Sequence, residues 1–298
     1  MKELAEQTGI DPQLNGCGLL MLAPPNIAEA QRWGRENQKE TQIFSAQQVV
    51  DREPNVAPQS DENLWWPHTG NVRNPRLLRS LKAYLAASKH CVLEANSEVV
   101  QINKTGATGV EVVTKTGTWN AQKVIVCAGA WSQRLLQTLG VQSQIEVSPV
   151  KGQMLIFEPQ PGLINSIIML NGKYLIPRLD GRILVGSTLE FDDFDKTTSA
   201  EAKALLLQNA HSMVPNLKNA KVEAQWAGLR PGTAAGVPYI GKMPGWDDLY
   251  LNAGHFRNGL VLAPASARLM SNLILQQKPI IDPSPYDPAR ARILEPMH

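Results

Sequence analysis

Apolar positions along the chain change period several times, and those changes outline its organisation. GLLMLA (18–23) is an apolar run of strand length, and the stretch from Ile27 to about Asn37 reads as an amphipathic helix. Asn74-Pro75 opens a second helix, with Asn74 as N-cap and Pro75 in the first turn, running to about Ser88. CVLEANSEVVQI and GVEVVTKTGTWN follow as strands, with a turn at Thr116-Gly117. KVIVCAGAW (123–131) is continuously apolar and ends in small residues, the pattern of a central strand in a parallel sheet.

From Val147 the strands lengthen: VSPVKGQMLIFE, KYLIPRLDGRILVGSTLE and KVEAQWAGLRPG, interrupted by one helix over about Ser199 to Met213. That pattern predicts an antiparallel sheet with a capping helix. LYLNAG (249–254) returns to a short buried strand, and a helix from about Asn258 to Gln277 follows it. Parallel-type segments on either side of an antiparallel one imply two discontinuous domains sharing a cleft. In open α/β sheets ligands bind beyond the carboxyl ends of the strands, where CAGAW and NAGHFRNG both lie.

Composition narrows the classes. With 298 residues, 43% of them hydrophobic, the chain can bury a sizeable core. A net charge of +2 provides no basic field for nucleic acid or an anionic membrane. The cysteines Cys17, Cys91 and Cys127 are odd in number and show no CxxC spacing, which predicts a reducing, cytoplasmic setting. No apolar run approaches the roughly 20 residues of a membrane span, and MKELAEQTGI has no signal-peptide hydrophobic region. The five histidines are scattered without metal-ligand spacing, and GxSxG and P-loop signatures are missing.

Three clusters carry chemistry. In GHFRNGLVLAP (254–264) a strand end leads directly into a helix, whose free N–H groups favour negative charge. No acidic residue lies between Gly254 and Met270, while Arg257 projects from the turn; an ordinary helix entrance with an exposed arginine is the competing reading. In WAGLRPGTAAGVPYIG (226–241) Arg230 ends an apolar strand before Pro231-Gly232. It either grips a carboxylate bidentately or forms a structural salt bridge. In KYLIPRLDG, Tyr174, Ile176 and Arg178 share one face, so Tyr174 either caps a small pocket or packs as a core tyrosine. Binding groups without a poised acid or base suit redox chemistry carried by a cofactor.

The ordered set VIVCAGAWS, SPVKGQML, YLIPR-DGR-LVGST, WAGLRPGT-GVPYIG and GHFRNGLVLAPA resembles the flavin-dependent D-amino-acid oxidase family. Within it the motifs are most similar to the glycine oxidases of thiamine biosynthesis. The resemblance implies an FAD-linked reductase fold of α/β plus α+β type. A parallel-sheet FAD-binding domain would span 67–140 and 225–298, and an antiparallel-sheet substrate domain 10–66 and 141–224. It implies that Arg230 grips the substrate carboxylate, with Arg257, Tyr174 and Leu189 also facing substrate. The FAD contacts it implies are Val99 at the adenine end, Ala128, Gly129 and Trp131 in a strand-end turn, and His255, Phe256, Arg257, Asn258, Gly259, Leu260 and Val261 along the flavin.

The implied reaction takes a small amino acid and O2 to an oxo acid, ammonia and H2O2, with no side-chain acid or base required and no metal. Sarcosine or D-amino-acid oxidases, dehydrogenases and a non-catalytic remnant share these motifs. FAD is expected to be non-covalent, since no cysteine follows Cys127, itself expected in a buried strand. A homo-oligomer is compatible with the resemblance. Two positions depart from the family pattern. Ala235 stands where GLRPGTxDG has aspartate, and no G-x-G-x-x-G unit is found. GCGLLM from Gly16 lacks the third glycine and leads into a strand. The expectation is an FAD-binding domain lacking its first βαβ unit, with FAD held weakly or not at all.

Overall fold

A computed structural model describes residues 1–106, 109–191, 194–290 and 292, with the backbone alone at 235. The chain runs α1 (Lys2–Thr8), β1 (Leu19–Leu22), α2 (Ile27–Glu36), β2 (Gln42–Phe44), α3 (Ala46–Arg52), β3 (Asn63–Trp66) and α4 (Asn74–Ala87). Then come β4 (Val99–Lys104), β5 (Val110–Thr114), β6 (Thr118–Ala121), β7 (Val124–Val126), α5 (Ser132–Thr138) and β8 (Ser148–Phe157). Finally β9 (Ile167–Leu170), β10 (Lys173–Pro177), β11 (Ile183–Gly186), α6 (Ala200–Met213), β12 (Val222–Gly232), β13 (Tyr239–Lys242), β14 (Leu249–Ala253) and α7 (Gly259–Ile274) complete it.

These elements form two compact units. The first comprises Met1–Leu93, Gln153–Thr188 and Thr197–Ala227; the second comprises Glu94–Gly152, Leu189–Lys196 and the chain from Gly228 onward. An eight-stranded sheet in the order β12-β8-β11-β10-β9-β1-β3-β2 carries the first. Its pairings β8–β11, β11–β10, β10–β9, β1–β3 and β3–β2 are antiparallel, but β1 pairs β9 in parallel. Helix α6 covers this sheet, and Leu206, Ala210 and Met213 join Leu155, Phe157, Leu175 and Val185 in one buried cluster. The segment 67–93, expected with the FAD-binding domain, groups with the first unit. There Ser80 of α4 lies 2.8 Å from Thr8 of α1, and Arg76 donates to the Asp11 carbonyl.

The second unit holds two three-stranded sheets, β13-β14-β7 and β4-β5-β6. In the first, β14 and β7 are parallel (Leu249↔Val124, Leu251↔Val126) and β13 is antiparallel to β14. Both sheets share a core with Val110, Val126, Leu136, Leu249, Leu251 and Ala253. Helix α7 buries Leu269 and Met270 against Ile240 and Tyr250.

Local signals explain most element ends. Asn26 caps α2, its side chain accepting from Glu29 N at 3.0 Å, and Ser199 caps α6 from Ala202 N at 3.2 Å. Ser45 and Gln48 form a reciprocal capping box that starts α3. Asn74 is not a cap: α4 has Arg73 at that position, Asn74 is its first residue, and no side chain caps it. Residues 91–98 are not strand, because β4 begins only where pairing with β5 starts, at Val99. KVIVCAGAW contributes just three residues to β7, and Cys127 beyond its end is exposed rather than buried.

Candidate active site

β7 and β14 run side by side in parallel, so their carboxyl ends emerge together within the second unit. Past β7 the chain makes a 3-10 turn, Gly129–Trp131, entered by Gly129 at φ 56° and closed by Trp131 N donating to Ala128 O at 3.0 Å. A Cβ at Gly129 would meet nothing within 4 Å, so the space over this turn is open. Trp131 leaves 42% of its surface exposed. Past β14, Gly254 (φ 84°) turns the chain into GHFRNG.

Two ties zip that turn to the end of β12. Phe256 N donates to Pro231 O at 2.9 Å, and Thr233 Oγ1 donates to Gly254 O at 3.2 Å. A Cβ at Gly254 would come within 2.4 Å of Thr233 Cγ2, so glycine is needed for both its dihedral and its contact. Arg230 and Arg257, far apart in sequence, each stand one residue from the Phe256–Pro231 bond. Arg230 is not the last residue of its strand as expected: β12 continues through Pro231 to Gly232, two residues beyond the half-buried Arg230. Phe256 is buried with φ 46°, a conformation that costs a bulky L-residue on the order of 1–2 kcal/mol. The compact fold around it carries that cost and aims Arg257, which is exposed.

Helix α7 begins at Gly259 with Asn258 as N-cap, and no side chain caps it. No acidic residue occupies its first turn, while Leu260 and Val261 are 47% and 75% exposed. An uncapped positive helix end beside exposed apolar side chains matches a flat ring with an electron-accepting edge. His255 Nε2 lies 2.6 Å from Ser266 Oγ, and burial pushes the ring pKa down, keeping it neutral. The imidazole is thus held by Ser266 of helix α7 within the second unit.

Gly152 makes room for Arg230. A Cβ there would fall 2.1 Å from Nη1 and 2.6 Å from both Cζ and Nη2, so the guanidinium lies directly on the bare backbone of β8. Next to it, Lys151 is 5% exposed, its Nζ 3.1 Å from Asp195 Oδ2 and 3.7 Å from Glu190 Oε2. Leu189, one residue before Glu190, is 38% exposed. Val99 pairs with Thr114, and the register shifts between Val99 and Gln101, a bulge at the start of β4.

In the first unit, β10 alternates as its sequence predicts: Leu175 and Pro177 are buried, while Tyr174, Ile176 and Arg178 are intermediate. The Tyr174 ring occupies the space over Gly186, where a Cβ would lie 2.4–2.5 Å from its Cζ, Cε2 and Oη. Arg178 donates to Asn71 Oδ1 (3.0 Å) and Val72 O (2.9 Å), a structural role. The Ala235 side chain and His298 lie outside the described residues.

The second unit thus brings Arg230, Arg257 and the 255–261 segment together through main-chain ties. Sequence reasoning missed Lys151, Gly152, Gly186 and Thr233. Lys151 and Gly152 stand inside the quoted SPVKGQML, but their partners lie 39 to 78 positions away, beyond any periodicity signal.

Comparisons with known proteins identify the family of the chain. The family model for FAD dependent oxidoreductases matches residues 1–273. A glycine oxidase of Pseudomonas putida is 43% identical over 289 residues, 96% of this chain and 78% of that protein. The bifunctional protein ThiO/ThiG of Synechocystis is 31% identical over 284 residues, 93% of this chain and 41% of that one. The crystal structure of glycine oxidase from Geobacillus kaustophilus superposes with a TM-score of 0.89 at 32% identity, covering 98% of this chain and 79% of that one.

Proposed function

Because the chain belongs to the FAD-dependent oxidoreductase family, we propose that it is an amino-acid oxidase acting on glycine: glycine + O2 + H2O → glyoxylate + NH3 + H2O2. The observation that carries this reading is Arg230, seated on Gly152 and tied through Pro231 to the GHFRNG turn. A guanidinium held there pairs with the carboxylate of a small amino acid bidentately.

The residues that would meet the adenine and flavin ends of FAD are the Val99 bulge, the Ala128–Trp131 turn and the 255–261 segment. Bound FAD supplies a two-electron acceptor that is reoxidised by O2 to give H2O2. The protein's own contribution is orientation. Arg230 fixes the carboxylate, Arg257 adds positive charge at the rim, and Leu189 limits side-chain volume. The uncapped α7 entrance stabilises negative charge developing next to it. The reaction requires no side-chain base when the substrate amine is presented neutral.

The test is peroxide release from the FAD-loaded protein with glycine, sarcosine and D-alanine. Glycine should give the highest kcat/KM. Arg230→Ala should lose about 3 kcal/mol of carboxylate binding, roughly a hundredfold in KM, and Arg230→Lys should recover part of it. Flavin reduction without peroxide would replace the oxidase with a dehydrogenase. A preference for sarcosine or D-alanine would replace the substrate.

A further inference from the structure

Residues 189–191 and 194–196 of the second unit are pinned at two points. Glu190 exchanges both main-chain bonds with Lys151, N to O at 3.0 Å and 2.9 Å. The Lys151 ammonium then reaches the carboxylates of Glu190 and Asp195, which bracket the segment. Lys151 is the buried end of this arrangement, its side chain 6% exposed against 32% and 45% for the carboxylates. An ammonium so buried is stabilised by such pairing, so both carboxylates favour keeping their stretches of chain against β8. A second anchor lies next to Asp195: the Phe194 ring sits 5.8 Å from Trp131, with the Arg134 guanidinium 5.3 Å from Phe194 and Lys196 Nζ 5.8 Å from Trp131. Leu189 and Phe191, at the other end, keep 38% and 60% of their surfaces exposed.

We propose that Lys151 is a positioning residue that sets which amino acids the site admits, by clamping the segment that carries Leu189. The proposal rests on the reading of Leu189 as a substrate-facing wall. The ammonium never touches substrate; it holds the wall at one depth. With the clamp intact, the volume next to the bound carboxylate suits a substrate without a side chain. With it loosened, Leu189 retreats, glycine loses its fit and bulkier amines gain entry.

Lys151→Met keeps the apolar stem and removes the charge, Lys151→Arg keeps the charge, and Asp195→Asn weakens the clamp from its exposed side without disturbing the core. The first readout needs no flavin: trypsin cleavage after the exposed Lys196 should accelerate about tenfold in Lys151→Met and less in Asp195→Asn, and stay near the parent rate in Lys151→Arg. The second uses the FAD-loaded protein. In Lys151→Met the KM for glycine should rise about tenfold at nearly constant kcat, while the ratio of kcat/KM for N-ethylglycine over glycine rises at least tenfold. Parent-like cleavage and parent-like ratios in Asp195→Asn and Lys151→Met overturn the proposal, and faster cleavage with an unchanged ratio overturns its specificity claim. Should the parent protein oxidise no amino acid, the substrate reading and the specificity claim fall together, whereas accelerated cleavage would still support the clamp.

Discussion

Gly152→Ala is the sharpest test of how Arg230 is held. The new Cβ would stand 2.1 Å from Nη1, and ordinary contact begins near 3.4 Å, so the guanidinium must retreat by about 1.3 Å. The atoms met are the far end of a flexible side chain, not backbone, so the strand itself has little reason to deform. The substrate carboxylate does not gain the freedom to follow, because its other contacts are unchanged. A charge-assisted bond near 2.8 Å stretched by that amount exceeds 4 Å and is lost. Such a bond contributes about 1.5–3 kcal/mol, which corresponds to a rise of roughly ten- to a hundredfold in the half-saturating glycine concentration. The assay is anaerobic flavin reduction in stopped flow across a glycine series, with thermal denaturation as the control for folding. A half-saturation unchanged from the parent, in a variant with a parent-like Tm, would refute the seating of Arg230 on Gly152.

Gly186→Ala places a Cβ 2.4–2.5 Å from the Tyr174 ring, a rigid group that cannot fold away, so about 1–3 kcal/mol of overpacking is expected. Thermal denaturation should register a Tm lower by several degrees, and an unchanged Tm would show that the ring moves freely. Burial lowers the His255 pKa below its ordinary 6.5. Above pH 6.5 the ring is neutral whether folded or unfolded; below it the unfolded chain takes up the proton first, so stability falls as pH drops through the folded pKa. His255→Gln should therefore lose less Tm between pH 7.5 and 5.5 than the parent, and equal losses would contradict this. Burial and Lys218 also lower the pKa of His211, which remains in both proteins and cancels in the comparison. FAD should leave the protein on acid precipitation, and flavin absorbance in the washed pellet would reveal a covalent bond, with exposed Cys127 the first residue to map.

Much of the architecture was legible locally. Helices α2 and α6 start at side-chain caps visible as Asn26 and Ser199, and β10 shows its period directly. The strand ends at CAGAW and NAGHFRNG, and the identities of Arg230, Arg257 and Tyr174, stand in contiguous motifs. Short elements escaped notice: α1, α3 and α5 have seven residues each, too few for a helical period to rise above chance, although the Ser45–Gln48 box marked α3. Tertiary structure alone decided what Arg230 rests on, because whether a glycine is a flexible joint or a seat depends on which distant side chain arrives over it. It likewise joined Lys151 to Glu190 and Asp195, and Thr233 to Gly254. Periodicity reports which face a residue occupies within its own element, whereas partners across tens of residues are selected by the packing of whole sheets, a cooperative outcome that no local window contains.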